Sequence, residues 1–178
     1  VYGNFKFNQQ PEDSELNPLN LYGLFKLQCE QVVAMLSKNY VIVRPSAVYG
    51  PGDNQNRVIA KWIKAAMVNE NIVINDSNAS LDFTHVEDTA QGIIAADVNG
   101  RMGEAYNITY GQAQNLIKVA NLIKDKTKSK SELLVYTGPR EINEPIRGTL
   151  DITKAKDQLG YKPKIDIESG LDDYINWH

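Results

Sequence analysis

Short apolar runs set between stretches of helical periodicity confine this chain to an α/β layout. Val41-Ile42-Val43 and Ile72-Val73-Ile74 read as buried strands. Leu81-Asp82-Phe83-Thr84-His85-Val86 alternates like a strand. Ala105-Tyr106-Asn107-Ile108 and Leu133-Leu134-Val135-Tyr136 read as two more. Between them, Val58, Ile59, Trp62, Ile63, Ala66 and Met67 form one helical stripe over 58–69. Glu87-Asp88-Thr89 opens a second helix, which runs to Val98 and is stopped by Gly100. Asp88 suits a cap or a first-turn carboxylate. Leu116 to Lys124 is a third helix, Thr153 to Leu159 a short one stopped by Gly160, and Glu168 to Trp177 the last. Residues 4–18 are polar and contain Pro11 and Pro18, as a surface loop would.

The 178 residues, 42% apolar and 23% charged, suit a globular chain with a single core. A net charge of −3 without a basic cluster argues against a nucleic-acid partner. The run Lys124–Lys130 reads as a solvated helix end and loop. No apolar run approaches the ~20 residues of a membrane helix. Cys29 is the single cysteine, so no intrachain disulfide forms; it reads as a packed thiol, and the cytoplasm is the expected compartment. His85 has only the terminal His178 as a fellow histidine, and no metal site is expected.

The most informative helix follows Asn20, a plausible N-cap, and is expected to run to about Asn39. Its apolar residues are Leu21, Leu24, Phe25, Val32, Val33 and Leu36. Tyr22 and Lys26 lie four apart, so both sit on one face, separated by about 6 Å along the axis. A free phenol ionises near pH ~10, and a neighbouring ammonium favours the phenolate. A phenol so tuned can take a proton from a sugar hydroxyl or return one to a carbonyl. A half-exposed tyrosine and a solvated lysine on an amphipathic helix is the alternative. After the Val41–Val43 strand come Arg44-Pro45 and the turn Pro51-Gly52-Asp53. Ligands gather at the carboxyl ends of strands in open α/β sheets, which draws attention to Pro45–Tyr49.

Taken in order, Val1-Tyr2-Gly3, Tyr22-x-x-x-Lys26, Arg44-Pro45-Ser46-Ala47-Val48-Tyr49-Gly50-Pro51-Gly52-Asp53, Leu81-Asp82-Phe83-Thr84-His85-Val86-Glu87-Asp88, Asp151–Lys156 and Leu159–Pro163 resemble the NAD-dependent epimerase/dehydratase family. These are extended short-chain dehydrogenases/reductases, and the resemblance spans essentially the whole chain. It implies the C-terminal part of an extended Rossmann-type fold: the last parallel strands and a small mixed α/β substrate region. On that frame residues 1–55 end the dinucleotide-binding domain. Residues 56–178 are mainly substrate-binding, with 86–110 returning to the Rossmann sheet. The Gly-x-x-Gly-x-x-Gly fingerprint does not occur here, so the expected cofactor, NAD with NADP not excluded, would be bound mainly by a preceding half.

The resemblance makes Tyr22 the proton-transfer residue and Lys26 the holder of the nicotinamide ribose. It turns Pro45, Ser46 and Val48 towards the cofactor, and Ala47, Arg57, Leu81, Arg140 and Arg147 towards a nucleotide-sugar substrate. Two positions depart from the family pattern. Ala47 stands where many relatives have Asn, and Leu81 where many have a phosphate-gripping Arg, whose bidentate contacts Leu cannot make. Arg147 fits the place of a second phosphate-facing arginine better than Arg140, and Arg57 is a candidate compensating cation. Leu24 and Phe25 lack the acid pair of dehydratases, which favours an epimerase. A dehydratase, a sugar reductase and a non-catalytic scaffold remain alternatives. The expected partners besides substrate are a second copy or the preceding half, met through the Tyr22 helix.

Overall fold

The computed structural model describes residues 1–139 and 141–178. In chain order the elements are β1 (Gln9–Gln10), α1 (Leu21–Leu36), β2 (Ile42–Pro45), β3 (Ala47–Tyr49), α2 (Val58–Met67), β4 (Ile72–Ile74), β5 (Ser80–Leu81) and β6 (Phe83–His85). Then follow α3 (Val86–Asn99), β7 (Ala105–Ile108), β8 (Gln114–Asn115), α4 (Leu116–Thr127), β9 (Leu133–Val135), β10 (Thr149–Leu150), α5 (Thr153–Leu159) and α6 (Ile167–Trp177). Strands β2 and β7, β3 and β6, β4 and β9, and β1 and β10 pair in parallel, whereas β5 and β8 pair antiparallel.

One junction organises the fold. Strands β2 and β3 are almost continuous, yet they pair with different partners on either side of Ser46. Pro45 faces Ile108 in register, and two residues later Ala47 faces Phe83. Where neighbouring strands lead to different partners, the sheet opens a crevice at their carboxyl ends.

The apolar residues divide into two cores. One gathers Tyr49, Ile59, Trp62, Ile63, Ile72, Ile74, Phe83, Val119, Ile123, Leu171 and Tyr174, so α2, α4 and α6 close over β3, β4 and β6. The other gathers Ala96, Tyr106, Ile108, Ala155, Leu159 and Tyr161 against Val41 and Val43, which places α3 and α5 on the β2–β7 pair.

Several local expectations change. The stretch Leu81–Val86 is two short strands and the start of a helix, not one half-buried strand, and Leu81–His85 are buried throughout. Asp82 accepts from Thr109 Oγ1, Gly111 N and Leu150 N, each at 3.1 Å, so its outward alternation has no solvent to meet. The cap of α3 is His85, whose Nδ1 lies 3.4 Å from Glu87 N, and not Asp88. The Asp88 carboxylate sits in the first turn but accepts from Lys164 N and Ile165 N, tying α3 to the segment before α6. Gly100 ends α3 without a left-handed φ; a Cβ there would collide with the Ala96 carbonyl.

Helix α1 stops at Leu36, three residues short of the expected end, because Ser37 is extended. Only Gly23 of α1 is buried. Cys29 is therefore exposed rather than packed, since its side of the helix has no covering element among the described residues.

Candidate active site

The Tyr22 end of α1 is built from its own sequence. Asn20 Oδ1 accepts from Gly23 N at 2.9 Å, satisfying one of the free donors of the first turn. Gly23 lets that turn press on Pro18, where a Cβ would come within 2.9 Å of Pro18 Cβ. The turn so held presents Tyr22 with 72% of its surface exposed. Lys26 Nζ stands 5.6 Å from the centroid of the Tyr22 ring, as the four-residue spacing requires.

Behind this turn, Arg44 locks three segments together. Its Nε and Nη2 make a two-point contact with Glu30 at 3.0 and 2.7 Å, while Nη1 donates to Tyr2 Oη at 2.9 Å and Glu12 O at 3.0 Å. Burial opposes the charge of Arg44, but the Glu30 carboxylate and the Tyr2 oxygen hold its pKa above the ordinary value. Burial pushes the Tyr2 phenol up to about 12 despite that guanidinium. Tyr2 in turn donates to Asn107 Oδ1 at 2.7 Å, and Asn107 Nδ2 donates to Gln10 O and Asp151 O. Burial raises the Glu12 carboxyl, although it accepts from Asn107 N at 2.8 Å.

A cavity of about 590 Å³ opens at the Ser46 junction. Tyr22, Pro45, Ser46 and Ala47 border one side, and Val58, Trp62, Leu81 and Leu116 supply an apolar floor. Arg57 and Arg147 reach it from the start of α2 and from the loop before β10, and Glu144 and Pro145 also line it. Its volume is that of a site for a small organic molecule. Tyr22, Pro45, Ser46, Ala47, Arg57, Leu81 and Arg147, which are far apart in sequence, thus meet around one space. Lys26 and Val48 are not on its wall: Lys26 is exposed beside Tyr22, and Val48 is the middle residue of β3. Arg57 Nη2 lies 3.4 Å from Val48 O, which steers that guanidinium back to the strand end. Arg140 lies outside the described residues.

Sequence reasoning missed Asp82, Asn107 and Glu144. The first two are polar residues inside strand-like stretches whose role is to bond distant backbone, and nothing in local periodicity marks them. Glu144 comes to the cavity through a loop without a repeating pattern. His85 Nε2 lies 3.2 Å from Asp173 Oδ2 but is not aligned for a hydrogen bond, and the ring packs against Tyr49. Among the described residues no three His, Cys, Asp or Glu side chains group as a metal site would need. No described helix is long and apolar enough to cross a membrane.

Residues 1–109 match the NAD dependent epimerase/dehydratase family. A Methanocaldococcus jannaschii relative, assigned by name as a UDP-glucose 4-epimerase, is 32% identical over 185 residues, covering 99% of this chain and 59% of its own. The dTDP-D-glucose 4,6-dehydratase of Mus musculus is 30% identical, covering all of this chain and 53% of its own. The crystal structure of UDP-glucuronic acid 4-epimerase from Bacillus cereus, in complex with UDP-glucuronic acid and NAD, superposes with a TM-score of 0.90 at 26% identity. That match covers 99% of this chain and 58% of that one. The chain therefore spans between half and three fifths of the length of these relatives.

Proposed function

The chain belongs to the NAD dependent epimerase/dehydratase family, and from that premise we propose that it forms the catalytic and substrate-binding part of an NAD-dependent nucleotide-sugar epimerase. One observation carries the reading: a single cavity joins an exposed phenol beside an ammonium, the carboxyl end of a parallel strand, and two arginines. The residues fit a nicotinamide group, because Lys26 stands free beside Tyr22 to meet ribose hydroxyls and Pro45 and Ser46 leave the strand end open. When bound, that group supplies the acceptor and donor of hydride at one sugar carbon.

The share of this chain is the proton. As the C–H bond of the sugar carbon gives up hydride, Tyr22 Oη takes the proton of the hydroxyl on the same carbon, leaving a ketone. Tyr22 returns the proton when hydride comes back to the other face of the turned sugar. Lys26 orients the ribose and sets a positive charge beside the Tyr22 ring. Arg57 and Arg147 take the diphosphate, each as a multi-donor cation, and replace the grip that Leu81 does not provide. Ala47 puts a small apolar side chain where the substrate is met.

The test, made on a protein that includes the NAD-binding half because this chain alone is expected to be inactive, is turnover of UDP-glucose, UDP-glucuronic acid and dTDP-glucose in the presence of NAD. A Tyr22→Phe variant is expected to lose at least about 100-fold in kcat, the usual size of a general acid–base contribution, with little change in KM. Wild-type turnover in that variant refutes the role of Tyr22. An epimerase consumes no net NADH, whereas a sugar reductase consumes one per product, and a dehydratase makes a keto-deoxy sugar. The apolar Ala47 and Leu81 favour one second reading, a non-catalytic binding protein, which turns over none of the substrates. The apolar outward face of α1 fits a second copy of the chain or a preceding half of the same protein.

A further inference from the structure

Residues 141–147 form a strap without helix or strand at the border of the cavity. Ile142 is 94% exposed and Ile146 55%, while Glu144, Pro145 and Arg147 border the cavity. Phe5 N donates to Ile146 O at 2.8 Å, and Ile146 N to Asn4 Oδ1 at 2.7 Å, pinning one end to the N-terminal loop. A further bond goes elsewhere: Asn20 Nδ2 donates to Asn143 O at 3.2 Å, across 123 sequence positions. Asn20 is also the cap of α1.

The two ends of that side chain do separate work. Capping uses only the oxygen, and serine, threonine or aspartate caps about as well. Of the good capping residues, only asparagine also carries a donor amide. The amide is the part that reaches the strap. We propose that Asn20 is a positioning residue that couples closure of the 141–147 strap over the cavity to the helix turn bearing Tyr22. Its kinetic consequence rests on the reading of the cavity as the nucleotide-sugar site. A substrate lying under Glu144–Arg147 holds the strap down, and through Asn143 and Asn20 the strap steadies the turn that presents the phenol. Without the tie, only the Ile146 bonds hold the strap and substrate must supply the rest of its order, so the loss falls on KM.

Three variants separate the tie from the cap. Asn20→Ser keeps an acceptor for Gly23 N and lacks the amide. Asn20→Ala loses both. Asn4→Ala frees the strap at Ile146 without touching α1. Thermolysin, which cuts on the amino side of bulky aliphatic residues, reads the strap at Ile142. In the ligand-free protein Asn20→Ser and Asn4→Ala are each expected to be cut about three- to tenfold faster than wild type, the population change from losing one hydrogen bond. UDP slows the cut in wild type. With a nucleotide sugar, KM rises by a similar factor in both variants while kcat holds, and Asn20→Ser keeps the thermal stability that Asn20→Ala loses. Wild-type cleavage and wild-type KM in Asn20→Ser overturn the proposal. Cleavage is read without turnover, so a protein inactive on every nucleotide sugar overturns the functional reading while the cutting rate of Asn20→Ser still decides this one.

Discussion

The Tyr2 hydroxyl donates to Asn107 and accepts from Arg44, which fixes the N-terminal loop to β7 and β2. Because burial first, and the nearby Glu12 and Glu30 charges after it, lift the phenol to about 12 from its ordinary 10.0, the folded chain holds a proton that the unfolded chain releases. The stability this supplies is whole below pH 10.0 and is lost as pH rises through about 12. Two units correspond to at most about 3 kcal/mol. The midpoint of urea unfolding is expected to fall across that interval. Tyr2→Phe should unfold more easily at neutral pH, having lost both bonds, but show a shallower alkaline fall. Burial also lifts Tyr49 and Tyr161, so the fall should flatten and not vanish. At the same scale the pairing of Tyr22 with Lys26 was legible in sequence, because two residues four apart on a helix meet whatever the rest of the chain does. Asp82 and Asn107 were not legible, because their partners are set by strands and loops brought in from elsewhere.

Among the elements, α3 shows how a helix can be read correctly and its fastenings missed. Its start, its length and its stop at Gly100 follow from periodicity. Its cap is His85, and the buried Asp88, 2% exposed, serves the chain beyond α5 through Lys164 N and Ile165 N. Asp88→Ala leaves both of those donors without an acceptor. It should cost about 1–3 kcal/mol, the penalty of an unpaired buried donor. Equilibrium unfolding in urea measures it, and a loss below about 0.5 kcal/mol would show that the tie is dispensable. The expected single strand at Leu81–Val86 failed for a related reason: alternation signals one wet face only when that face reaches water, and here α6 and the β10 segment cover it.

For the molecule as a whole, α1 is the odd element. Its apolar residues recur at helical spacing, yet Phe25 is 60% exposed, Met35 85% and Leu36 82%. Strand β2 likewise pairs with β7 alone among the described residues. An apolar face and an unpaired strand edge of this extent favour association. The protein is expected to exceed its monomer mass in light scattering, and the double change Phe25→Glu with Met35→Glu should lower that mass. A wild-type chain that is monodisperse and monomeric would remove this assignment of the α1 face.

The sequence by itself determined what depends on neighbours a few residues away: the helices, most strands, the Asn20 cap, the Tyr22–Lys26 pair and the order of motifs that marks the family. Tertiary structure alone decided which distant groups share a space. The switch of strand partners at Ser46 opens the cavity, and the 141–147 segment brings Glu144 and Arg147 to the same space that Tyr22 borders. Local periodicity encodes which face of an element turns inward, but long-range pairing decides what that face meets.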